Sequence, residues 1–279
     1  MVPITTKRHR LLPLRDLLGY AACTVILAAM LSGYAVVLQS AFGIWRDLVW
    51  WNFFRRCASI AGISMLLAFM RHVDQRSVRS LGLGPWRAGR RQLLMGLVVG
   101  LTGIMILALI YVAMNFLRFY HYPDTTKAVV TLLGALPAMV LVAVFEELIF
   151  RGYVLQHLLP LSRAVAIVLS SAAYALVHLR TQLVWPSGAF ELTGLFILGA
   201  VLAMSVLWTK QLYMAIGLHA SLAYAARVNK MVVEFAGNAP RWLVGTSRLV
   251  NGIAAWLALV VIGCLVAHLA RRQQIPQIP

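Results

Sequence analysis

Residues 145–151 read Phe-Glu-Glu-Leu-Ile-Phe-Arg and place two adjacent carboxylates and an arginine inside an otherwise apolar stretch. The chain has only eight Asp and Glu residues among its 279. An ionisable side chain at membrane depth is energetically costly, so such residues usually mark a functional site. Two histidines, His178 and His219, lie in later apolar stretches. Together with Glu146 they predict a buried hydrolytic site.

The composition is that of a membrane protein. Hydrophobic residues make up 61% of the chain and charged residues 12%, whereas soluble domains are about half apolar and about a quarter charged. A helix that spans a bilayer needs about 20 predominantly apolar residues. Eight segments are candidates: 17–38, 49–70, 93–117, 128–145 continuing past the acidic pair, 164–179, 192–209, 212–226 and 249–270. We therefore expect an all-α fold, a polytopic membrane helical bundle of about eight transmembrane helices, with residues 1–279 forming one integral membrane domain.

The net charge of +17 comes from Lys and Arg residues clustered between the apolar segments. Binding to nucleic acid would need a basic face on a soluble domain, so we expect no nucleic-acid partner and interpret the charge as topology signals and contacts with anionic lipid of the bilayer. With eight spans, one side holds 15 of the 25 basic residues. They include Lys7, Arg8, Arg10 and Arg15, the arginines of residues 71–91, and Arg271 and Arg272. We expect that side to be cytoplasmic, with both termini on it, in the cell inner (plasma) membrane.

The two glutamates cannot have the same role, because adjacent helical residues point about 100° apart. Glu147 and Arg151 are four residues apart with the acid first, which is the favourable order for a helical ion pair. Arg151 should therefore neutralise Glu147 and fix this face of the helix. Glu146 is left to point into the bundle, where it is suited to act as a general base.

The spacing around Pro160 predicts that Glu146 and His178 lie at the same depth. Pro160 ends one helix, and Ser162 is a plausible N-cap for the next. Glu146 lies 14 residues before Pro160, and His178 lies 15 residues after Arg163. At about 1.5 Å per residue, both are roughly 21–22 Å from the turn. In an antiparallel helical hairpin the two side chains are level.

Less specific interpretations stay open. A single histidine in a span is often a hydrogen-bonded packing residue, and the acidic pair with Arg151 fits a structural ion pair or the proton-coupling site of a transporter. Other signals for intramembrane proteolysis are absent, since the chain has no HExxH, no Gly-x-Ser-Gly and no Gly-x-Gly-Asp sequence. What remains is an arrangement of glutamate and histidine. Tyr174 precedes His178 by one helical turn, and His219 lies on a third helix.

Three motifs carry a resemblance to a known family: Glu146-Glu147-x3-Arg151, Tyr174-x3-His178 and His219. They resemble the motifs of the CAAX-protease and bacteriocin-processing family, also called CPBP or Abi, which includes the eukaryotic endoprotease that trims prenylated CAAX proteins. The resemblance covers about residues 81–226, with flanking helices at 17–70 and 249–270. It implies an eight-helix intramembrane endopeptidase whose substrates are membrane-associated proteins or peptides.

The resemblance also implies roles for the site residues. Glu146 acts on water, His178 positions the water, and His219 stabilises the oxyanion or shuttles a proton, while Glu147 and Arg151 support the site. Two positions depart from the family pattern. Tyr174 stands where phenylalanine is usual, and Ala223 stands where the family usually has an asparagine that serves as oxyanion donor. Candidate replacement donors are Ser221, Asn115 and Tyr224.

The sequence favours a mechanism without a metal cofactor. Two histidines and one carboxylate can ligate zinc, and if zinc is bound its ligands would be Glu146, His178 and His219. The chain offers no closely spaced pair of ligands for it. The alternative functions are a catalytically silent membrane scaffold or bacteriocin-immunity-type protein, which Ala223 favours, and a proton-coupled transporter, which should show repeated halves or paired broken helices.

Overall fold

The computed structural model describes residues 12–42, 50–178, 186–245 and 250–274. Lys7, Arg8 and Arg10 lie outside these ranges, as do residues 49, 179 and 249 at the ends of three expected spans. The helices are α1 (Leu12–Phe42), α2 (Trp50–His72), α3 (Trp86–Ala113), α4 (Thr125–Glu147), α5 (Leu155–Leu158), α6 (Arg163–Val177), α7 (Ser187–Thr209), α8 (Tyr213–Val232), α9 (Arg241–Val244) and α10 (Ile253–Gln274). A 3₁₀ turn covers Val78–Leu81, and a π-helical segment covers Leu148–Val154.

The expected all-α membrane bundle is confirmed. Each of the eight predicted spans overlaps one of the helices α1–α4, α6–α8 and α10. Within the described ranges, five helical segments are long and apolar enough to cross a membrane: Leu14–Ala41, Trp86–Ala113, Thr125–Leu158, Ser187–Thr209 and Ile253–Arg272. Helical segments Cys57–His72 and Arg163–Val177 are apolar but shorter. The number of eight spans therefore stays a prediction.

A short antiparallel sheet was not expected from the sequence. Strand β1 (Leu117–Phe119) follows α3, and β2 (Val233–Phe235) follows α8, with Leu117 opposite Phe235 and Phe119 opposite Val233. The pairing joins the C-terminal ends of the two helices. It is consistent with α3 and α8 running side by side in the same direction.

Helix α7 lies in the centre of the bundle. Half of its most apolar window is buried, whereas only 17% is buried in the corresponding windows of α1, α3 and the segment Thr125–Leu158. Large hydrophobic side chains on α3 and α4, such as Met105 and Leu133, are exposed on the surface of the protein. In a bilayer these side chains face lipid, whereas burial inside the bundle is concentrated in α7 and in α8, whose residues 214–222 are all buried.

Glycines allow the backbones of α3 and α8 to touch. A Cβ added at Gly96 would lie 2.8 Å from the backbone nitrogen of Leu218, and one added at Gly217 would lie 3.1 Å from the carbonyl carbon of Leu93. Both distances are shorter than ordinary carbon contacts. Small residues permit this close approach of helices in membranes, and here it fixes the position of His219, two residues after Gly217.

The chain changes its winding directly after the acidic pair. The Leu155 N–H donates to the carbonyl of Phe150, five residues earlier, which is the pattern of a π-helix. Single π turns inside α-helices occur frequently at functional sites. After α5 the chain turns, and the Ser162 hydroxyl accepts a 3.1 Å hydrogen bond from the Val165 N–H. The predicted N-cap of this helix, α6, is thus confirmed.

We expect Gly96→Ala to destabilise the protein, because the added methyl group would meet the backbone of α8. Overpacking of this kind typically costs about 1–3 kcal/mol. Thermal unfolding in detergent measures the change. Gly134→Ala in α4 is the matched control, since an added Cβ there meets nothing within 4 Å and alanine has the higher helix propensity by up to about 1 kcal/mol. Equal stability of the two variants would contradict the close packing of α3 on α8.

Candidate active site

Glu147 is a fully buried carboxylate held by two donors. Its Oε1 accepts a 2.8 Å hydrogen bond from Nη1 of Arg151 and lies 2.8 Å from Nδ1 of His219. The side chains of Glu147 and Arg151 are 0% and 1% exposed. Arg151 also donates to the carbonyl of Gly199 on α7 over 3.4 Å. The ion pair between Glu147 and Arg151 is present as predicted, and the bond to His219 adds a third helix to it.

Glu146 points to a different set of partners. Its Oε2 lies 3.6 Å from Nε2 of His178 and 3.7 Å from Nε2 of His219. These separations exceed hydrogen-bond length, and Oε2 has no hydrogen-bond partner among the residues that the structure describes. The Glu146 side chain is 24% exposed, in contrast to that of Glu147. The predicted convergence of Glu146, His178 and His219 is present in the structure, while their roles stay predictions.

The hydrogen bonds at Nδ1 define the tautomer of both histidines. Nδ1 of His178 lies 2.8 Å from the carbonyl oxygen of Tyr174, and a carbonyl can only accept, so this nitrogen carries a proton. Nδ1 of His219 likewise faces the Glu147 carboxylate. A neutral imidazole has one N–H donor and one acceptor nitrogen. In its neutral form, each histidine therefore directs an acceptor, Nε2, towards the Glu146 carboxylate.

Tyr174 lies at the centre of this cluster and is 1% exposed. Its hydroxyl is 3.4 Å from Nε2 of His219, and because that nitrogen is the acceptor, the hydroxyl donates. Its ring packs against the His178 ring at 4.6 Å and edge-on against Phe150 at 5.4 Å between centroids. The Arg151 guanidinium lies 4.4 Å from the ring centroid. Such cation–π contacts are strongest where water is excluded.

None of the three side chains proposed from the sequence as oxyanion donors offers its donor group at this site. The Ser221 hydroxyl donates to the carbonyl of Leu218 over 2.8 Å, and the Tyr224 hydroxyl donates to the carbonyl of Leu132 over 3.2 Å. Asn115 follows the end of α3, whereas Gly100 packs against Ser221 near the level of His219. At about 1.5 Å per residue, Asn115 is roughly 22 Å farther along the helix.

Sequence reasoning missed two contacts of the site. The bond from His219 to Glu147 joins residues 72 apart, and the bond from Arg151 to Gly199 joins residues 48 apart. Both depend on how α7 and α8 pack against the π-helical segment. No local sequence motif specifies contacts between residues so far apart in the chain. The sequence therefore did not indicate these two contacts beyond the presence of a glycine and a histidine.

The donor types around Glu146 are those of a catalytic zinc site, namely two imidazoles and one carboxylate. Among the described residues, no group of three or more His, Cys, Asp or Glu side chains is arranged to hold a metal ion.

Comparison with known proteins identifies one family. Residues 128–225 match the model of a family described as type II CAAX prenyl endopeptidase Rce1-like. The matched segment begins in α4 and ends in α8 and contains all the site residues: Glu146, Glu147, Arg151, Tyr174, His178 and His219. No curated protein and no solved structure matches the chain.

We expect Glu147→Gln to destabilise the fold more than Glu146→Gln does. Loss of the Glu147 charge leaves Arg151 buried without its counter-ion, which typically costs about 3–5 kcal/mol. Glu146 is partly exposed and makes no hydrogen bond through Oε2, so its replacement should cost about 1 kcal/mol, the usual size for a point mutation. Thermal unfolding of both variants in the same detergent measures the difference. A similar loss of stability in the two would contradict this division between the glutamates.

Proposed function

We propose that the protein is an intramembrane endopeptidase of the CAAX-protease type in which Glu146 activates water, a proposal supported by the match of residues 128–225 to the Rce1-like family model. The observation that carries the proposal is the approach of Glu146 Oε2 to Nε2 of both His178 and His219 within a membrane bundle. Three acceptor atoms that face one another require a donor between them. A water molecule supplies two protons and suits this position.

The reaction follows from the nature of these groups. Glu146 takes a proton from the water, whose oxygen forms a bond to the carbonyl carbon of the peptide. The carbonyl oxygen becomes an oxyanion in the tetrahedral intermediate. When the intermediate collapses, the C–N bond breaks and the proton held by Glu146 passes through Nε2 of His219 to the leaving nitrogen. The products are an amine and a carboxylic acid, which then releases the second proton of the water. General acid–base catalysis of this type typically contributes about 10²–10⁴-fold in rate.

The two histidines have different tasks in this scheme. His178 is 28% exposed and accepts from the water through Nε2, which positions the nucleophile next to Glu146. His219 is 5% exposed and has its proton on Nδ1, held by Glu147. Its Nε2 is therefore suited to receive and return a proton during turnover. Of the two roles expected for His219, the tautomer supports proton shuttling over direct stabilisation of the oxyanion.

Glu147 and Arg151 act on the site indirectly. Arg151 is the counter-ion of Glu147, and the Glu147 carboxylate accepts the Nδ1 proton of His219. A carboxylate behind a histidine commonly fixes its tautomer and ring orientation in this manner. We propose that the catalytic set is Glu146, His178 and His219, with Glu147, Arg151 and Tyr174 in support.

The substrates that we propose are membrane-associated proteins or peptides. A substrate can reach the site because the side chains of Glu146 and His178 are 24% and 28% exposed. We further propose that the protein lies in the inner membrane with both termini on the cytoplasmic side. The arginines between Arg71 and Arg91, together with Arg271 and Arg272, support this orientation through the excess of positive charge on cytoplasmic loops.

A catalytically silent scaffold or immunity-type protein is the second candidate function. The observation that favours it is Ala223, one turn after His219 on α8, which offers no donor where the family usually has an amide. Binding of a partner at the same site would need no oxyanion stabilisation. A peptide-cleavage assay on the purified protein separates the two functions: hydrolysis supports the endopeptidase, and its absence supports the scaffold.

We expect Glu146→Gln to abolish cleavage while the protein stays folded, because the amide cannot take a proton from water. The loss should be at least about 10²-fold. Cleavage of candidate membrane peptides by protein in liposomes measures it. Glu234→Gln is the matched control, since Glu234 is exposed on β2, away from the site. Equal activity of Glu146→Gln and wild type would refute the role of Glu146.

We also propose that cleavage needs no metal ion. Incubation with a chelator followed by its removal should leave the rate unchanged, and added zinc should not raise it. Elemental analysis of the purified protein should find zinc far below one atom per chain. Activity that is lost on chelation and restored by zinc would instead support a metalloprotease in which Glu146, His178 and His219 are the ligands.

A further inference from the structure

We propose that the hydroxyl of Tyr174 is the oxyanion donor of this site, an inference that rests on the proposed function. Peptide hydrolysis places a negative charge on the former carbonyl oxygen, and the loss of one donor to that oxygen commonly costs about 10²–10³-fold in rate. The side chain at position 223 is a methyl group and has no donor. The reaction therefore needs an N–H or O–H group from another element.

The tautomer of His219 removes the most obvious substitute. Nδ1 of His219 gives its proton to Glu147, so Nε2 has none to offer to an oxyanion while the imidazole is neutral. His178 is in the same state because its Nδ1 proton is directed to the carbonyl of Tyr174. Glu146 is an acceptor only. Among the described groups that meet at Nε2 of His219, the Tyr174 hydroxyl supplies an O–H donor.

The position of the hydroxyl suits this role. It lies 3.4 Å from Nε2 of His219, and the same Nε2 lies 3.7 Å from Glu146 Oε2. The donor and the general base thus flank one imidazole nitrogen. The hydrogen bond from Tyr174 to His219 is long for an O–H donor, whose usual length is about 2.7–2.8 Å. Moving this proton from a weak partner to an oxyanion costs little.

The ring of Tyr174 is held in place by contacts that do not involve the hydroxyl. The Arg151 guanidinium packs against it, and the rings of Phe150 and His178 contact it. A preorganised donor of this kind needs no rearrangement when the charge develops. The hydroxyl donates a hydrogen bond and keeps its proton throughout, so it does not change the balance of the reaction. Phenylalanine would preserve the ring contacts and remove only the donor.

The sharpest test exchanges the donor between two positions. Tyr174→Phe should lower kcat by about 10²–10³-fold with little change in KM or in the unfolding temperature. Adding Ala223→Asn to that variant should restore a large part of kcat, because the amide one turn after His219 replaces the lost donor. In the wild-type background, Ala223→Asn should change kcat by less than about tenfold. Tyr153→Phe is the matched control, since Tyr153 is equally buried and lies outside the catalytic set.

The possible outcomes separate this inference from the proposed function. If the wild type cleaves, Glu146→Gln does not, and Tyr174→Phe cleaves as fast as wild type, the role of Tyr174 is refuted and the proposed function stands. If the wild type is inactive and Ala223→Asn is active, Tyr174 does not supply the donor, although the remaining chemistry is present. If the wild type and Ala223→Asn are both folded and neither cleaves any substrate, the role of Tyr174 and the proposed function are both overturned. Loss in Tyr174→Phe without rescue, accompanied by a lower unfolding temperature, shows a structural role and also refutes the inference.

Discussion

The buried carboxylate of Glu147 is the constraint on which the rest of the site depends. A charge in an apolar bundle is tolerated only when donors compensate for the lost water. One donor is Arg151, in the π-helical segment that follows α4, and the other is His219 on α8. Arg151 in turn reaches the carbonyl of Gly199 on α7. Three parts of the bundle must therefore be in place at once, and a displacement of any one of them leaves a charged group without its partner.

Close helix packing makes these contacts possible. An added Cβ at Gly199 would lie 3.0 Å from the Cα of Ser171, so glycine at this position allows α6 and α7 to approach at the level of the arginine. Gly217 does the same for α8 against α3 and lies two residues before His219. Small residues at helix interfaces are a general means of packing in membranes. In this protein they also bring Arg151 and His219 within hydrogen-bond distance of their partners, because both contacts depend on the close approach of the helices.

The parts of the site that the sequence predicted are those governed by constant helix geometry. The ion pair of Glu147 and Arg151 follows from a separation of four residues. The equal depth of Glu146 and His178 follows from a fixed rise per residue on both sides of a turn marked by Pro160 and Ser162. Membrane character follows from composition alone, which is why the fold class was predictable although the number of spans is not settled by length.

What the sequence could not predict depends on packing between distant segments. The π-helical segment after Glu147 arises where the chain packs its buried residues against the 3₁₀ turn and α7, and no residue in it is a recognised signal for such winding. The donors expected from the sequence, Ser221 and Tyr224, satisfy backbone carbonyls instead. Hydroxyl groups in helices readily bond to carbonyls nearby, so a polar residue close to a motif in sequence is a poor guide to which group faces the reaction.

Two neighbouring glutamates thus acquire opposite properties from their surroundings. Glu147 is inaccessible, and its Oε1 is bonded to an arginine and a histidine. Glu146 has one carboxylate oxygen facing two acceptor nitrogens and a side chain that is 24% exposed, so a molecule that brings protons is stabilised next to it. Because the two side chains point about 100° apart on one helix, neither can take the other's position without rotation of α4. That rotation would break the bonds to Arg151 and His219, so the contacts of Glu147 also hold Glu146 in its orientation.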